Sequence, residues 1–251
     1  MAKLEENQIY NRVVRLTGDA AFQRLRQSHV AVFGLGGVGS WCVEALARTG
    51  IGHLTLIDAD VVAASNINRQ LPALQTTVGQ AKAEIMRHRI AEIDPDIEVE
   101  TRVMRYTAST ASELMLTDFD YVVDAIDSVA DKAHLMLNAT RSGVPIVSSM
   151  GAALRTDPTQ VRIATDFFRV EGDALAAALR RRFRKTGEFP ARKFPCVYSQ
   201  EQRMENRETE EDKSGAMSFD KVAVNGALCQ VTAAFGMALA SVVINTLIRE
   251  R

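Results

Sequence analysis

Short apolar runs and amphipathic segments alternate along the first 150 residues. The run at 29–34 (HVAVFG) is apolar and rich in β-branched residues, as is typical of a buried parallel strand. The segment at 40–48 repeats apolar residues with helical spacing, and a second apolar run follows at 53–58. A strand, a helix and a strand in this order predict a βαβ unit at the front of a doubly wound sheet.

The same alternation continues beyond this unit. Apolar positions at 79–94 lie close to one helical face, whereas those at 97–103 alternate with polar residues, as in a half-buried strand. Further strands are predicted at 119–127, 144–149 and 160–165, and further helices at 129–142, 172–183 and 227–249. The pattern predicts the α/β class, with a doubly wound, mostly parallel Rossmann-like sheet and helices on both faces.

The charge pattern changes near residue 180. Basic residues cluster at 180–193 and acidic residues follow at 201–212, which is typical of a long, mobile crossing segment. Polar residues interrupt the last apolar helix before about 18 apolar residues accumulate, so a core or interface helix is favoured over membrane contact. We predict one domain with an N-terminal helical arm at 1–28, a core at 29–165, and the crossing segment with the last helix at 166–251.

Composition narrows the function classes. The 251 residues include 30 basic and 31 acidic side chains, so the net charge of −1 disfavours a protein that coats nucleic acid over its whole surface. Cys42, Cys196 and Cys229 form no CxxC pair, which disfavours a disulfide framework and a structural zinc site. The polar N-terminus lacks the apolar run of an export signal. These features favour a cytoplasmic protein.

A glycine-rich sequence, GLGGVG at 34–39, separates the first predicted strand from the first predicted helix. Glycines in this context allow a sharp turn and let backbone N–H groups approach phosphate at the positive end of a helix. Asp58 ends the second predicted strand, where a carboxylate accepts hydrogen bonds from ribose hydroxyls. The pattern indicates nucleotide binding; the alternative is a packing turn with an incidental acid.

The residues after Asp58 bear on which nucleotide binds. An NAD site has little use for extra cations, whereas a triphosphate that loses pyrophosphate needs them to neutralise charge on the leaving group. Arg69 and Lys82 suit that role, Asn66 suits an intervening phosphate, and Asp127 suits Mg²⁺ at the end of the third core strand. The alternative is that Arg69 and Lys82 are solvated surface charges.

Five motifs in this order, GLGGVG, DAD, SNINRQ, VGQAK and DAID, resemble those of the ubiquitin-activating-like adenylating superfamily represented by ThiF, MoeB and HesA. That likeness covers roughly residues 10–150. Within the superfamily, stretches such as NINRQLPAL, TDPTQVRIATDF and CVYSQE most resemble the tRNA threonylcarbamoyladenosine dehydratases, over nearly the whole chain. Relatives that serve sulfur-carrier proteins usually hold zinc through paired CxxC motifs, which this chain lacks.

The resemblance implies an ATP- and Mg²⁺-dependent ring closure on a modified adenosine of tRNA. The threonyl carboxylate becomes an acyl adenylate, pyrophosphate leaves, and a nitrogen of the same side chain closes the ring and releases AMP. Arg69, Lys82 and Asp127 are the implied catalytic residues, with Asp127 also the metal ligand. The implied nucleotide-binding residues are Gly34, Gly36, Gly37, Gly39, Asp58, Asp60, Asn66, Asn68, Arg69, Gln70, Lys82, Asp127 and Ser128.

The resemblance also implies partners. A homodimer is expected, in which Arg12 or Arg15 reaches the partner's ATP, unless these are ordinary surface arginines. The tRNA is expected on a basic cluster, unless that cluster is a solvated helix end; its residues are Arg180, Arg181, Arg184 and Lys185. DNA is not expected as a partner. A monovalent cation (Na⁺ or K⁺) and a partner from a cysteine desulfurase system are left open.

Two other functions are left open. The first is an adenylyltransferase that activates the C-terminal glycine of a ubiquitin-like sulfur carrier, in which Cys196 would act as a thiol acceptor. The second is a dinucleotide-binding regulator or scaffold without turnover. Ring closure is intramolecular, so the dehydratase itself needs no catalytic cysteine.

Overall fold

The computed structural model describes residues 6–207 and 225–249. Within these ranges the helices are α1 (Glu6–Ile9), α2 (Asn11–Thr17), α3 (Asp19–Gln27), α4 (Gly39–Thr49), α5 (Lys82–Ile93), α6 (Val129–Ser142), α7 (Ala174–Thr186) and α8 (Cys229–Leu247). The strands are β1 (His29–Phe33), β2 (His53–Ile57), β3 (Glu98–Arg102), β4 (Tyr121–Asp124), β5 (Ile146–Ser149), β6 (Val161–Ala164) and β7 (Cys196–Ser199).

The seven strands form one sheet in the order β3-β2-β1-β4-β5-β7-β6. All neighbouring pairs are parallel except β6 and β7. The predicted doubly wound, mostly parallel α/β fold is therefore confirmed. The strand order reverses between β1 and β4, and ligands of such sheets bind in the crevice outside the carboxyl ends of the strands at that point.

Strand β7 is absent from the sequence prediction, because its four residues lie within the charged segment assigned to a crossing loop. All four are buried, and β7 pairs with both β5 and β6. The basic residues at 180–185 are helical, because α7 continues to Thr186 and ends at Gly187, whose φ of 72° is left-handed. The acidic residues predicted at 208–212 lie outside the described residues.

Two predicted boundaries shift for identifiable reasons. The helix predicted at 79–94 begins at Lys82, because an antiparallel bridge between Val61 and Ala81 keeps the preceding residues extended. The strand predicted at 119–127 ends at Asp124, whose Oδ1 accepts a hydrogen bond from the Ile126 N–H and turns the chain out of the sheet.

One face of helix α8 packs into the core. Val231, Phe235, Leu239 and Val243 are completely buried, and at Gly236 the helix approaches α4 so closely that a Cβ would lie 2.5 Å from the Val38 carbonyl oxygen. Its length and composition alone would also suit a membrane crossing, as is true of many core helices. The structure therefore agrees with the prediction of a core or interface helix.

Candidate nucleotide site

The glycine loop lies at the crevice between β1 and β4 and is closely packed against backbone atoms of the loop and of the segment after β4. A Cβ on Gly34, whose φ is 89°, would lie 2.7 Å from the Ala125 carbonyl oxygen. A Cβ on Gly39 would lie 1.8 Å from the Gly34 carbonyl oxygen. These two positions therefore require glycine, and they leave the backbone of the loop open to a close ligand.

The N-terminus of α4 begins at this loop. Val38 is its N-cap residue and provides no side-chain hydrogen bond, so the first N–H groups of α4 have no side-chain cap; of these, the Ser40 N–H donates to the Gly36 carbonyl. These groups and the helix dipole favour an anion. The loop and helix therefore form the geometry that a nucleotide phosphate requires.

Asp58 follows β2 beside the glycine loop. Its Oδ2 accepts a hydrogen bond of 2.6 Å from the Leu35 N–H, and its Oδ1 accepts one of 2.7 Å from the Asp60 N–H. Burial raises the pKa of Asp58, while Lys82 and the two N–H groups act in the opposite direction. The carboxylate is therefore held in one orientation, as recognition of ribose hydroxyls requires.

Lys82 is 4% exposed at the start of α5. Its Nζ forms an ion pair of 2.8 Å with Asp60 Oδ2, whose side chain is 49% exposed. Lys82 is therefore not the solvated surface charge of the alternative interpretation. A phosphate could take the place of Asp60, because an ammonium has three donors that rotate toward whichever anion is present.

Arg69 packs directly beside the glycine loop. A Cβ on Gly37 would lie 3.3 Å from its Cγ, and the Trp41 indole N–H donates a hydrogen bond to its carbonyl oxygen. Its guanidinium donates to the Ser65 carbonyl and to Asn68 Oδ1. Arg69 therefore holds a positive charge next to the phosphate turn.

The two asparagines of this segment have local structural contacts. Asn66 Oδ1 accepts a hydrogen bond from the Ala63 N–H and closes a short 3₁₀ turn. Asn68 donates from Nδ2 to the Ala227 carbonyl. The segment that carries Arg69 is therefore fastened on one side to its own turn and on the other to the chain before α8.

Gln70 carries an unsatisfied hydrogen-bond acceptor beside the glycine loop. Its side chain is 8% exposed, and its Oε1 is buried without a hydrogen-bond partner. The amide lies at the loop, since a Cβ on Gly36 would be 3.8 Å from Nε2. An unsatisfied buried acceptor is costly, and a donor on a bound molecule would relieve that cost. The residues present therefore fit a polar ligand such as a nucleotide.

Asp127 and Ser128 lie on the other side of the crevice, between β4 and α6. Asp127 is exposed, and Ser128 is the N-cap residue of α6. Among the described residues no group of three His, Cys, Asp or Glu side chains could hold a metal. One exposed carboxylate is compatible with Mg²⁺, which usually combines one or two carboxylates with phosphates and water.

A buried ion pair supports the Asp127 loop, and the sequence analysis did not find it. Asp124 and Lys132 are both completely buried, and their side chains lie 2.9 Å apart. Lys132 also donates to the Ile126 carbonyl, while Asp124 accepts from the Ser148 hydroxyl at 2.6 Å. A sequence signal existed, because an acid at the end of an apolar strand and a lysine on the following helix need partners when buried.

Arg105 is a second residue that the sequence analysis missed. It follows β3 and binds Asp131 of α6, with an Nη2–Oδ2 distance of 2.8 Å. The pKa of Arg105 is raised by Asp131 first and, more weakly, by Asp127 and Asp60. A third cation therefore faces the carboxylates of the crevice, in addition to Arg69 and Lys82.

Comparison with known proteins places this arrangement in a family. Residues 10–250 match the ThiF family. The chain belongs to the ThiF family. It is 38% identical to the tRNA threonylcarbamoyladenosine dehydratase of Haemophilus influenzae, over 100% of this chain and 98% of that protein. The molybdopterin-synthase adenylyltransferase of Escherichia coli is 37% identical over 62% of this chain and 64% of that protein.

Solved structures agree with this assignment. The E. coli tRNA N6-threonylcarbamoyladenosine dehydratase TcdA in complex with ATP is similar to this ThiF-family chain with a TM-score of 0.85 and 36% identity. The match covers 98% of this chain and 97% of that chain. The complex of the same enzyme with AMP gives a TM-score of 0.86 at 37% identity.

Several predicted residues of this ThiF-family chain lie away from the crevice loops. Arg12 and Arg15 are exposed on α2, and Arg15 donates to Asn11 Oδ1. Of the basic cluster, Arg181, Arg184 and Lys185 are exposed near the end of α7. Arg180 differs from them: it donates to the Val170 carbonyl, and its Cζ lies 5.8 Å from the centre of the Phe167 ring. Arg180 therefore has a structural contact of its own.

Cys196 is completely buried at the start of β7. Burial raises the pKa of its thiol well above the ordinary value. A thiol acceptor needs exposure and a lowered pKa, so the structure gives no support to that role for Cys196 in this ThiF-family chain. Cys42 is buried in α4, as expected for a core residue.

Proposed function

We propose that this chain is a cytoplasmic, ATP-dependent dehydratase of threonylcarbamoyladenosine in tRNA. The observation that carries the proposal is the full-length likeness to a dehydratase of that name, at 38% identity over 98% of the relative. The likeness extends beyond the shared nucleotide core, which the adenylyltransferases of the family also match. The elements outside the core therefore favour the dehydratase over its relatives.

In the proposed reaction the threonyl carboxylate attacks the α-phosphorus of ATP and pyrophosphate leaves. A nitrogen of the same side chain then attacks the activated carbonyl carbon, loses its proton, and displaces AMP. The cyclic product has lost the elements of water. Both reacting groups are tethered to one nucleoside, so positioning replaces a covalent enzyme intermediate.

The crevice residues suit the first step. The glycine loop and the start of α4 bind phosphates, and Asp58 binds the ribose. Arg69 and Lys82 neutralise the charge that develops on the departing pyrophosphate. For Lys82 this requires exchange of its Asp60 partner for a phosphate oxygen. Gln70 Oε1 accepts a hydrogen bond from the bound nucleotide.

Mg²⁺ is proposed at Asp127, whose carboxylate would hold it and where it would supply positive charge against the triphosphate. A titration of turnover against Mg²⁺ in Asp127→Asn tests this assignment, because removal of a ligand raises the Mg²⁺ concentration needed for half activity. An unchanged Mg²⁺ response would remove Asp127 from the site. Repeating the wild-type assay in Na⁺ and in K⁺ tests for a monovalent cation.

A homodimer is proposed in which Arg12 or Arg15 of one protomer reaches the ATP of its partner. Mixing Arg12→Ala with Lys82→Ala tests this arrangement. Each homodimer is expected to be impaired, whereas a mixed dimer regains one complete site. Absence of regained activity for both Arg12 and Arg15 would exclude exchange between protomers. A pull-down with purified cysteine desulfurase tests that further partner.

The tRNA is proposed to contact the exposed cations of α7, and DNA is not proposed as a substrate. Arg181→Gln and Arg184→Gln should each remove about one phosphate contact, which lowers the slope of log affinity against log salt by about 1. Arg87→Gln on α5 is a matched control, because the Arg87 side chain is partly exposed and its contacts are with Glu84 and His88 on the same helix. Wild-type affinity and slope for both variants would exclude this surface.

The decisive experiment is mass spectrometry of nucleosides from tRNA incubated with the protein and ATP. Conversion of threonylcarbamoyladenosine to a species lighter by one water, with release of AMP, is expected. No mass change with a fully modified tRNA would contradict the proposal.

The second candidate is an adenylyltransferase for a sulfur carrier, favoured by the 37% identity with the molybdopterin-synthase enzyme. Exchange of label between pyrophosphate and ATP separates the functions. Stimulation by modified tRNA supports the dehydratase, and stimulation by a small protein with a Gly-Gly tail supports the adenylyltransferase. Stimulation by neither indicates a scaffold without turnover.

A further inference from the structure

Two phenylalanines differ from all the others in the described part of the chain. Phe168 and Phe189 are each 48% exposed, whereas every other phenylalanine at 6–207 and 225–249 is buried. Single exposed apolar side chains are common on soluble proteins. These two exposed rings, however, belong to one cluster of phenylalanine side chains.

That cluster contains a chain of four rings near α7, and a fifth ring, Phe194, stacks on Phe167. Phe168 lies 5.1 Å from Phe167, Phe167 lies 5.8 Å from Phe183, and Phe183 lies 6.5 Å from Phe189, as measured between ring centroids. Phe167 and Phe183 are completely buried. Each exposed ring therefore packs on a buried ring, which limits its motion before any partner binds.

The exposed charged side chains of the segment that carries these rings, residues 167–193, are mostly basic. The exposed acidic ones are Glu171 and Glu188, and Glu188 is paired with Arg141. The exposed cations that flank the two rings along the chain are Arg169, Arg181, Arg182, Arg184, Lys185, Arg192 and Lys193. We define these cations with Phe168 and Phe189 as the α7 surface.

We propose that the α7 surface binds single-stranded RNA, with unpaired bases stacked on Phe189 and Phe168 and phosphates held by the surrounding cations. This inference rests on the proposed function, since it names the part of the protein that recognises the tRNA. Exposed aromatic rings among cations are the combination that proteins use for unpaired bases. Paired RNA would need only the cations, because its bases are already stacked on one another.

The position of the α7 surface sets the size of the RNA. Helix α7 begins beside the crevice, where Asp173 accepts a hydrogen bond from the Gly151 N–H after β5. It ends at the other side of the sheet, where Glu188 meets Arg141 of α6. A helix of 13 residues is about 20 Å long at 1.5 Å per residue. An RNA that reaches both places is therefore much larger than one nucleoside.

The test compares ring removal with charge removal. Affinity for tRNA and for an unstructured RNA of about 15 nucleotides is measured by fluorescence anisotropy at several salt concentrations. Phe168→Ala and Phe189→Ala should each weaken binding about 5-fold to 100-fold, the range for loss of one stacked base, with an unchanged salt slope. Phe189→Trp should bind at least as tightly as the wild type. Arg181→Gln should instead lower the slope by about 1.

Two controls separate stacking from damage to the fold. Phe168→Leu and Phe189→Leu keep apolar bulk without an aromatic ring and should weaken binding nearly as much as the alanine variants. Met237→Ala removes an exposed apolar side chain from α8 and should bind as the wild type does. Full affinity in the leucine variants would overturn the inference. So would a loss of dimer mass in them, which would identify the surface as a protein interface.

The experiments can contradict the RNA-binding role of the α7 surface and the proposed function independently of each other. If the wild type forms the cyclic nucleoside and the phenylalanine variants keep its tRNA affinity, the function stands and the α7 surface is wrong. If the wild type forms no cyclic product but its RNA affinity depends on the two rings, the surface stands and the function is wrong. If both hold, the variants should raise the KM for tRNA while kcat remains near that of the wild type.

Discussion

The nucleotide crevice and the α7 surface both carry charged side chains but differ in how these charges are held. Lys82, Lys132 and Asp124 are buried and paired at the crevice. On the α7 surface the side chains of Arg181, Arg184 and others project into solvent at a helix end. A buried pair is intolerant of change because loss of one partner leaves the other uncompensated, whereas an exposed cation is nearly independent of the fold. Loss of one charged side chain should therefore destabilise the fold strongly in the crevice and only slightly on the α7 surface.

The largest effect on stability is expected from Lys132→Met. Removal of the ammonium leaves the Asp124 carboxylate buried without its cation, which should lower the free energy of unfolding by about 3 to 5 kcal/mol. Urea unfolding measures this change. Arg184→Met on α7 is the matched comparison and should stay within about 0.5 kcal/mol of the wild type. Equal effects of the two variants would erase the contrast between the regions.

The same variant has a predicted pH dependence. Burial already raises the pKa of Asp124, and Lys132 opposes that effect, so Lys132→Met should raise this pKa further. The folded variant would then keep a proton that the unfolded chain releases at lower pH. Its stability should fall as the pH rises through the raised pKa. A deficit that does not grow between pH 5 and pH 8 would argue against an uncompensated Asp124.

The next effect is on turnover. Arg69→Ala or Lys82→Ala should remove a charge contact to the departing pyrophosphate and lower kcat on the order of 10² to 10³. Arg87→Ala, on the same helix as Lys82, is the matched control and should leave kcat unchanged. Steady-state release of pyrophosphate gives the numbers. If Lys82→Ala turned over normally, Lys82 would be a structural partner of Asp60 only.

A smaller effect separates two glycines of one loop. Gly39→Ala would place a Cβ 1.8 Å from a carbonyl oxygen and should destabilise the fold by about 1 to 3 kcal/mol. At Gly36 the nearest atom is 3.8 Å away, so Gly36→Ala should fold normally and lose affinity for ATP, because its Cβ occupies the phosphate approach. Thermal unfolding and ATP titration distinguish the two. Normal ATP affinity in Gly36→Ala would place the phosphates elsewhere.

The smallest effect is expected at Cys196. The buried thiol has a raised pKa and no predicted chemistry in ring closure, so Cys196→Ala should keep wild-type kcat. Loss of activity at unchanged stability would favour the sulfur-carrier alternative. Cys196→Ala therefore distinguishes ring closure, which needs no cysteine, from the sulfur-carrier alternative.

The parts of the fold that depend on local pattern could be predicted from the sequence. The β1, α4 and β2 boundaries follow the apolar periodicity, and Gly50 ends α4 in the left-handed conformation expected of a helix C-cap. Strand β7 could not be predicted in this way, because its burial is produced by β5 and β6, which are distant in sequence. Local charge in its neighbourhood pointed instead to a loop.

The candidate site likewise contains residues that local pattern predicts and residues whose role depends on contacts distant in sequence. Motif spacing predicted the glycine loop, Asp58, Arg69 and Lys82. It did not predict Lys132 or Arg105, whose partners are brought to them only when α6 packs against the sheet. Motif reasoning also grouped Arg180 with its exposed neighbours, although its contacts with Val170 and Phe167 belong to the interior of that region.

The N-terminal arm has a fixed reach. Tyr10, 1% exposed, donates to the Ala47 carbonyl or to Asp94 Oδ2, which also binds Arg26. Arg12 lies only two residues beyond this anchor, so it can extend no farther than its own side chain. A protomer that receives Arg12 into its nucleotide site must therefore bring that site against α2 itself. Because Tyr10 fixes the position of Arg12 on the core, it limits where the twofold axis of any such dimer can lie.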